Sequence, residues 1–349
     1  MEVREILEIG KSLGASDIHL IVGKAPVFRV HGELIEMESV DRLMPDDCQR
    51  LIYSIINDVQ QKVFEEKKEL DFSFGLTTLG RYRANIHMQR GTVAAALRTI
   101  TTDIPDLLSL GLPKSVEKFA DFNNGLVLVT GPTGSGKSTT LAALIDRINT
   151  STSQHIITIE DPIEYLHRHK KSVVEQREIK TDTESFSSAL KYALRQDPDV
   201  ILIGEMRDLE TIESALTAAE TGHLVFATLH TNDAAQTIDR IVDVFPTNQQ
   251  EQIRLQLSTA LRGVVSQQLI PRLDKKGRVL TSEVLVGTPA IANLIREAKT
   301  HQIYSMIETG ARFGMRSMDS SLKELYEKRF ISYEDMIKRM RNANIMEKL

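Results

Sequence analysis

The hydrophobic pattern of the first hundred residues is typical of a small sheet. Short apolar or alternating runs are separated by turn residues such as Gly23, Gly80 and Gly91, so they predict strands joined as hairpins. The predicted strands cover residues 17–22, 26–30, 70–76, 81–88 and 92–100. Apolar residues at positions 51, 52, 55, 56 and 59 have helical spacing. We therefore expect an α+β N-terminal domain over residues 1–100.

The pattern changes at Gly125, where apolar strands begin to alternate with helical segments, as in a parallel α/β sheet. The predicted strands are 126–130, 156–160, 200–204 and 224–229, and the predicted helices lie near 137–148, 185–195, 209–220 and 234–242. The intervening stretch 101–124 contains Pro105 and Pro113 and is expected to be a linker. From residue 290 onward, amphipathic helical spacing predicts a helical C-terminal subdomain.

Composition and charge narrow the possible classes of protein. The 349 residues are 41% hydrophobic and 26% charged, which is typical of a folded globular protein and argues against whole-chain disorder. No apolar run approaches the roughly 18 residues that cross a bilayer, and the N-terminus lacks a secretory signal, so we expect a cytoplasmic protein. The net charge of −5 argues against a nucleic-acid partner. A single cysteine, Cys48, is expected to be structural.

A phosphate-binding loop is the strongest chemical signal in the sequence. Residues 131–138 read Gly-Pro-Thr-Gly-Ser-Gly-Lys-Ser, which fits the P-loop pattern between a predicted strand and a predicted helix. Such a loop surrounds phosphates with backbone N–H groups, while its lysine reaches the β- and γ-phosphates and its serine ligates Mg²⁺. The sequence therefore predicts ATP and Mg²⁺ as cofactors. The expected nucleotide-binding residues are Gly131, Thr133, Gly134, Ser135, Gly136, Lys137, Ser138 and Thr139.

Acidic residues follow two of the predicted parallel strands. Glu205 comes after the strand 200–204, although Gly204 stands where an ordinary P-loop ATPase carries aspartate. Glu160, Asp161 and Glu164 crowd the end of the strand 156–160. Hydrolysis needs one carboxylate near Mg²⁺ and one group that orients the attacking water. The residues alone leave open which acid has which role.

Two histidines bracket the strand 224–229. His230 follows its carboxyl end, which in a parallel sheet lies at the same edge as the P-loop, so it is a candidate sensor of the γ-phosphate. His223 lies at the opposite end, where a functional role and a simple polar cap are about equally expected.

These motifs, in this order, resemble those of the secretion-superfamily ATPases. Residues 131–138, 160–165, 204–208 and 221–232 resemble the Walker A motif, the Asp box, an atypical Walker B motif and the His box of that superfamily. The resemblance implies a PAS-like N-terminal domain (1–100), a RecA-like P-loop ATPase domain (125–289) and a helical C-terminal subdomain (290–349).

Two further regions extend the resemblance over nearly the whole chain. Residues 14–19 and 80–83 resemble the PAS-like domain of the superfamily. Residues 287–297 resemble the C-terminal motif of its type IV pilus retraction ATPases, with one departure: Ala292 stands where the motif usually has arginine. Any contact made by that arginine is therefore not transferred to this chain.

The resemblance also implies roles for individual residues. Glu164 corresponds to the general base that polarises water, and Glu205 to the Walker B acid that holds the Mg²⁺ shell, directly or through water. Arg81 and Arg83 alternate on one face of a predicted strand, and Arg98 lies on the next strand. Fixed guanidinium charges of this kind suit a developing γ-phosphate charge, whereas without the resemblance a solvated sheet face is equally expected.

The implied function is mechanical. Members of this branch are expected to form a homohexamer, with nucleotide between the N-terminal and RecA-like domains, and to use ATP hydrolysis for pilus retraction and twitching motility. The expected location is the cytoplasmic face of the inner membrane at the base of the pilus, against a platform protein, with an accessory retraction ATPase as a further partner.

Three alternatives remain at the level of sequence. An accessory retraction paralogue would carry the same motifs. A pilus assembly or type II secretion ATPase normally has a further N-terminal domain and often a four-cysteine zinc module, neither of which the sequence shows. A nucleic-acid motor on the same core is disfavoured by the net negative charge.

Overall fold

The computed structural model describes residues 1–30, 32–38, 40–76, 79–101, 103–274 and 277–341. It divides into two compact units, Met1–Thr102 and Asp103–Leu349. Among the described residues, no helix is long and apolar enough to cross a membrane.

The first unit is built on an antiparallel sheet. Its strands are β1 (Asp17–Leu20), β2 (Val27–Val30), β3 (Glu33–Glu36), β4 (Glu69–Leu76), β5 (Gly80–Gln89) and β6 (Thr92–Ile100), in the spatial order β3-β2-β1-β6-β5-β4. Its helices are α1 (Val3–Ser12), α2 (Pro45–Tyr53) and α3 (Asp58–Lys67). Successive side chains of a strand point to opposite faces of the sheet, and on β5 the side chains of Tyr82, Ala84 and Ile86 are buried in the core of this unit.

Two details of the first unit differ from expectation. The apolar spacing over 51–59 predicted one helix, but α2 ends at Tyr53 and α3 begins after Asn57, whose side chain accepts a hydrogen bond from the Gln60 N–H at 2.9 Å. Strand β3 was not predicted, because all its residues are exposed at the sheet edge and so show no inward-facing alternation.

The second unit contains a mostly parallel sheet. Its strands are β7 (Gly125–Thr130), β8 (His155–Glu160), β9 (Val173–Glu178), β10 (Val200–Ile203), β11 (Leu224–Leu229), β12 (Leu261–Pro271) and β13 (Arg278–Val286), in the order β13-β12-β7-β11-β10-β8-β9. Only the β12–β13 pair of this sheet is antiparallel within the described residues. Every residue of β7, β10 and β11 is buried, as expected for strands covered on both faces.

Helices surround this sheet and continue beyond it. They are α4 (Lys114–Glu117), α5 (Lys137–Ser151), α6 (Phe186–Ala193), α7 (Leu209–Glu220), α8 (Ala234–Asp243), α9 (Gln250–Ala260), α10 (Pro289–Arg296), α11 (Ile303–Thr309), α12 (Met318–Glu327) and α13 (Tyr333–Arg339). Short 3₁₀ helices cover Leu107–Leu110, Lys118–Asp121, Thr300–Gln302 and Ala311–Phe313. The predicted α/β fold class, with its helical C-terminal region, is confirmed.

The stretch expected to be a linker is part of the second unit. Residues from Asp103 onward belong to that unit, and Leu107, Val116 and Phe119 are buried in its core. Its prolines lie at the borders of short helices: Pro113 immediately precedes α4. The expectation of a linker over 101–124 is therefore corrected, because proline content marks helix starts as readily as flexible segments.

Candidate active site

The order of the strands gathers the candidate residues at one edge of the sheet. Strands β7, β11, β10 and β8 are neighbours and run parallel, so their carboxyl ends lie side by side. The P-loop follows β7, His230 follows β11, Glu205 follows β10 and Glu164 follows β8. Parallel α/β sheets bind ligands at this edge.

The P-loop needs glycine for two physical reasons. At Gly131, φ is +138°, and a Cβ atom would lie only 2.2 Å from the Gln267 carbonyl oxygen and 2.7 Å from Ser135 Oγ. At Gly136, φ is +89°, where the chain turns into the first residue of α5. The loop therefore delivers its backbone N–H groups and the positive end of a 15-residue helix to one point.

Lys137 folds back over the loop. Its Nζ donates hydrogen bonds to the carbonyl oxygens of Gly131 at 2.8 Å and Pro132 at 3.2 Å. Burial is the largest influence on this lysine and lowers its pKa, while the charges of Glu205 and Glu164 oppose the shift. Both carboxylates are thus within electrostatic reach of the P-loop cation.

Glu205 is held by a guanidinium group and an imidazole ring. Its carboxylate lies 2.7 Å from Arg207 Nη2 and 3.0 Å from His230 Nε2, and 18% of its side chain is exposed. Burial is the largest single influence and raises its pKa, but the hydrogen bonds and charges of Arg207 and His230 together outweigh it, so the pKa of Glu205 is lowered. Glu205 is therefore a persistent anion.

The unusual glycine before Glu205 has a steric explanation. A Cβ atom on Gly204 would lie 3.2 Å from both the Cα of Glu160 and the carbonyl oxygen of Ile159, and the Gly204 N–H donates to the same carbonyl at 2.7 Å. The adjacent strand is too close to accommodate an aspartate there without displacement. The acid of this strand end is displaced to Glu205.

Glu160 occupies a different electrostatic environment. Burial raises its pKa to about 7, although hydrogen bonds from Thr158 Oγ1 at 2.7 Å and Gln176 Nε2 at 3.2 Å act in the opposite direction. A raised pKa reduces the like-charge crowding expected at this strand end, because Glu160 is largely protonated below pH 7.

Glu164 is exposed and unpaired. Among the described residues its side chain makes no hydrogen bond or ion pair. The loop that carries it is nevertheless fixed: the hydroxyl of the next residue, Tyr165, lies 2.9 Å from Thr139 Oγ1 on α5. Thr139, expected to bind nucleotide, thus also contacts the Asp-box loop.

Magnesium would find few protein ligands here. No group of three or more His, Cys, Asp or Glu residues able to hold a metal occurs in the part of the chain that the structure describes. Ser138, in the first turn of α5, and Glu205 offer hard oxygen donors. Such a sparse donor set fits Mg²⁺, which usually retains several waters and shares phosphate oxygens.

Sequence reasoning missed the polar residues that support the P-loop from β12. Gln267, which is 1% exposed, donates to the Ser135 carbonyl at 3.0 Å and accepts from Thr140 Oγ1 at 3.1 Å. The adjacent Ser266 lies 2.8 Å from Thr130, Oγ to Oγ1. The available signal was a Ser-Gln pair inside the apolar run of residues 261–270.

The remaining candidates do not follow the carboxyl ends of these four strands. His223 is at the amino end of β11, where its Nδ1 lies 3.0 Å from the Ala218 carbonyl, so it caps the end of α7. Arg81, Arg83 and Arg98 belong to the first unit, where Arg83 and Arg98 are paired neighbours on β5 and β6. Arg98 Nε donates to Asp17 at 2.8 Å.

A parallel sheet with a P-loop at its carboxyl edge, beside a fixed anion and an unpaired carboxylate, defines the class of P-loop nucleotidases. Within that class, the family model of the Type II/IV secretion system protein matches residues 3–341. The chain belongs to this family, and the resemblance drawn from its motifs is confirmed.

Individual relatives are similar over nearly the whole chain. The chain is 50% identical over 335 residues to the "Type IV pilus retractation ATPase PilT" of Pseudomonas aeruginosa, covering 96% of this chain and 97% of that protein. It is 41% identical over 344 residues to the "Type IV pilus ATPase PilU" of the same species, covering 99% and 90%. The crystal structure of the pilus retraction motor PilT with bound ADP matches with a TM-score of 0.93 and 51% identity over 100% of both chains.

Proposed function

We propose that this chain is an ATP-hydrolysing motor that powers retraction of type IV pili. The observation that carries the proposal is the convergence of the P-loop, Glu205 and Glu164 at one sheet edge, in a chain that is 50% identical to PilT over almost its full length. The nucleotide would be ATP, because ADP is bound in the structurally similar retraction motor.

The P-loop residues would hold the phosphates. In this proposal the backbone N–H groups of Gly131 and of residues 133–139 would donate to the phosphate oxygens, and Lys137 would leave the Gly131 and Pro132 carbonyls to reach the β- and γ-phosphates. The Ser138 hydroxyl and Glu205 would hold Mg²⁺, Glu205 directly or through water. The bound ion would neutralise charge that develops on the phosphates.

Glu205 and Glu164 would have different roles in hydrolysis. Glu205, tied to Arg207 and His230, keeps its negative charge and suits the metal shell. Glu164 is exposed and makes no ion pair among the described residues, which leaves its carboxylate available to accept a proton from water. This contrast supports Glu164 as the general base.

His230 and the arginines of the first unit would respond to the γ-phosphate. His230 Nε2 lies 3.0 Å from the Glu205 carboxylate, so a movement of Glu205 on metal binding would alter this contact. Arg83 and Arg98 sit opposite each other on adjacent strands, and Arg81 lies two residues earlier on β5. We propose that these guanidinium groups neutralise transition-state charge.

The motor would act as a homohexamer against a platform protein at the inner-membrane base of the pilus. The exposed Arg296, at the end of α10, and the exposed Glu297, which follows it, would couple hydrolysis to movement. An accessory role, as a partner of a main retraction ATPase, is the second candidate. The higher identity to PilT (50%) than to PilU (41%) favours the main motor.

The test combines biochemistry with a cellular assay. The purified protein should hydrolyse ATP in Mg²⁺, and its mass measured with and without ATP should correspond to six copies. Deletion of its gene should leave pili that do not retract, and restoring the wild-type gene, but not a Lys137→Ala variant, should return twitching. A monomer with full turnover would indicate an ordinary nucleotidase, whereas strong stimulation by DNA at low salt would indicate a nucleic-acid motor.

A further inference from the structure

The loop that carries Glu164 is fastened to β9, a strand that the sequence analysis did not single out. Two β9 side chains, Gln176 and Glu178, point their polar atoms at the backbone of this loop. The Ile163 N–H donates to Glu178 Oε2 at 3.3 Å, and Gln176 Nε2 donates to the Tyr165 carbonyl at 2.8 Å. Glu164 therefore stands between two anchored neighbours.

Gln176 makes three contacts that no other side chain of its size could make together. Its Nε2 donates to the Tyr165 carbonyl and also to Glu160 Oε1, at 2.8 and 3.2 Å, while its Oε1 accepts from the His167 N–H at 2.8 Å. A primary amide supplies two donors and an acceptor, whereas a carboxylate supplies only acceptors. Both the donor and the acceptor of the Gln176 amide are therefore used in hydrogen bonds to the loop and to Glu160.

The anchoring acts on the backbone of the loop and leaves the carboxylate of Glu164 free. The residue before Glu164 is held by Glu178, which is 3% exposed, and the residue after it is held by Gln176 through its carbonyl and by Thr139 through its hydroxyl. A fixed backbone beside an unpaired side chain limits the positions that the carboxylate can take, which general-base chemistry requires.

We propose that Gln176 is a positioning residue for ATP hydrolysis, which sets the location of the Glu164 carboxylate by holding the loop at Tyr165 and His167. This inference rests on the proposed function, in which Glu164 is the general base. It assigns to β9 a role in catalysis without any contact between Gln176 and the nucleotide.

The experiment compares Gln176→Leu with Gln154→Leu, since both glutamines are partly buried and belong to neighbouring strands of one sheet, Gln176 on β9 and Gln154 immediately before β8. Within the described part of the chain, the Gln154 side chain accepts a single hydrogen bond, from Thr152 at 3.3 Å, just before β8. Gln176→Leu should lower kcat roughly 10- to 100-fold, because displacement by about 1 Å can cost that much. KM for ATP and the Mg²⁺ concentration at half-maximal rate should stay within about twofold, since these depend on the P-loop and Glu205. Gln154→Leu should change none of the three.

Three outcomes would overturn the inference: a kcat within about twofold of the control, a parallel shift in KM, or a shift in Mg²⁺ requirement. Gln176→Glu serves if the leucine variant does not fold, because it keeps the side-chain size and the acceptor but removes both donated bonds, and it should lower kcat in the same way. The proposed function fails separately: if Glu164→Gln turns over ATP at the wild-type rate, Glu164 is not the base, whatever Gln176 does.

Discussion

The ends of β8 and β10 are neighbours in one sheet, yet the pKa values of their acids shift in opposite directions. At the end of β10, Glu205 pairs with Arg207 and His230, and its pKa is lowered against the effect of burial. At the end of β8, Glu160 is surrounded by neutral donors, and burial raises its pKa to about 7. Arginine and histidine partners lower the pKa of one acid, whereas burial raises the pKa of the other despite hydrogen bonds from neutral donors.

The difference shows how one sheet edge can hold several carboxylates with reduced mutual repulsion. A fixed anion at the β10 end can stabilise a metal shell, whereas the β8 end places Glu164, whose side chain is unpaired among the described residues, on a loop outside the strand. A Cβ atom at position 204 would lie 3.2 Å from the Cα of Glu160, so the close approach of the two strands disfavours a third acid there.

Removing Lys137, whose charge is within electrostatic reach of Glu164 and Glu205, should have the largest effect, which is on ATP binding. Lys137→Ala should weaken ATP binding by at least about 100-fold, because the β- and γ-phosphates lose their loop cation and meet Glu164 and Glu205 without compensation. Equilibrium binding of a fluorescent ATP analogue measures this. Lys170→Ala, which removes an exposed ion pair with Asp146, is the matched control and should bind normally. Near wild-type affinity in Lys137→Ala would contradict the assignment of the loop.

Replacing Glu164 and Glu205 with glutamine, one at a time, should distinguish the roles of the acids at the β8 and β10 ends. Glu164→Gln and Glu205→Gln should each lower turnover about 10²- to 10⁴-fold with little change in ATP affinity, since both charges act mainly in the transition state. Only Glu205→Gln should need more Mg²⁺ for its remaining activity. Steady-state rates over a Mg²⁺ titration test this, with Glu175→Gln, an exposed β9 carboxylate beside His155, as the neutral control. If Glu164→Gln and Glu205→Gln gave identical Mg²⁺ titrations, the assignment of different roles to the two acids would be wrong.

The proton on Glu160 should appear in the pH dependence of stability. Its pKa rises from 4.5 to about 7 on folding, so its contribution is fully present below pH 4.5 and is lost as pH rises through 7. Relative to Glu160→Gln, the wild type should lose about 1–3 kcal/mol of unfolding free energy between pH 5 and pH 8. Glu283 shifts in the same direction but is common to both proteins, so it cancels. Urea unfolding at the two pH values measures the difference, which should be absent for Glu175→Gln. A pH-independent difference for Glu160→Gln would mean that Glu160 is ionised throughout.

The parts of the site that sequence predicts are those that local order determines. The P-loop is a run of consecutive residues, and Glu205 and His230 follow strands whose apolar runs are plain in the sequence. Their meeting could be expected because parallel strands end at one edge. Gln267 and Gln176 could not be assigned partners in this way, since their contacts depend on which strands are neighbours across 132 and 11 residues of chain. Periodicity identifies strands but does not order them.

The fold shows the same limit. The α5 to α8 helices follow the predicted segments, whereas the polar, exposed edge strand β3 has no pattern to detect. The packing of 103–121 also depends on distant partners: the Phe119 ring would lie 2.2 Å from a Cβ on Gly263 of β12, a contact that composition does not reveal. Prolines at 105 and 113 therefore suggested a linker where tertiary packing forms a covered segment.

The smallest expected effect on hydrolysis concerns α10, whose polar contacts are local. Ile291 and Ile295 are buried, while Arg296 and Glu297 are exposed. Arg296 contacts Asn293 and Ser258, and Glu297 contacts Asn293 and Lys299, so none of these bonds reaches the ends of β8 or β10.

Replacing both Arg296 and Glu297 with alanine should therefore leave the oligomer and its ATPase rate within about twofold of wild type, because exposed charges away from the site contribute little to stability. Under the proposed coupling role, the same variant should abolish twitching and leave cells with extended pili. The matched control is the double alanine variant of Lys323 and Glu327, an exposed pair 4.0 Å apart on α12, which should twitch normally. Normal twitching of the α10 variant at wild-type protein abundance would show that motion is transmitted elsewhere, whereas a large loss of ATPase activity would show that α10 acts on the strand ends after all.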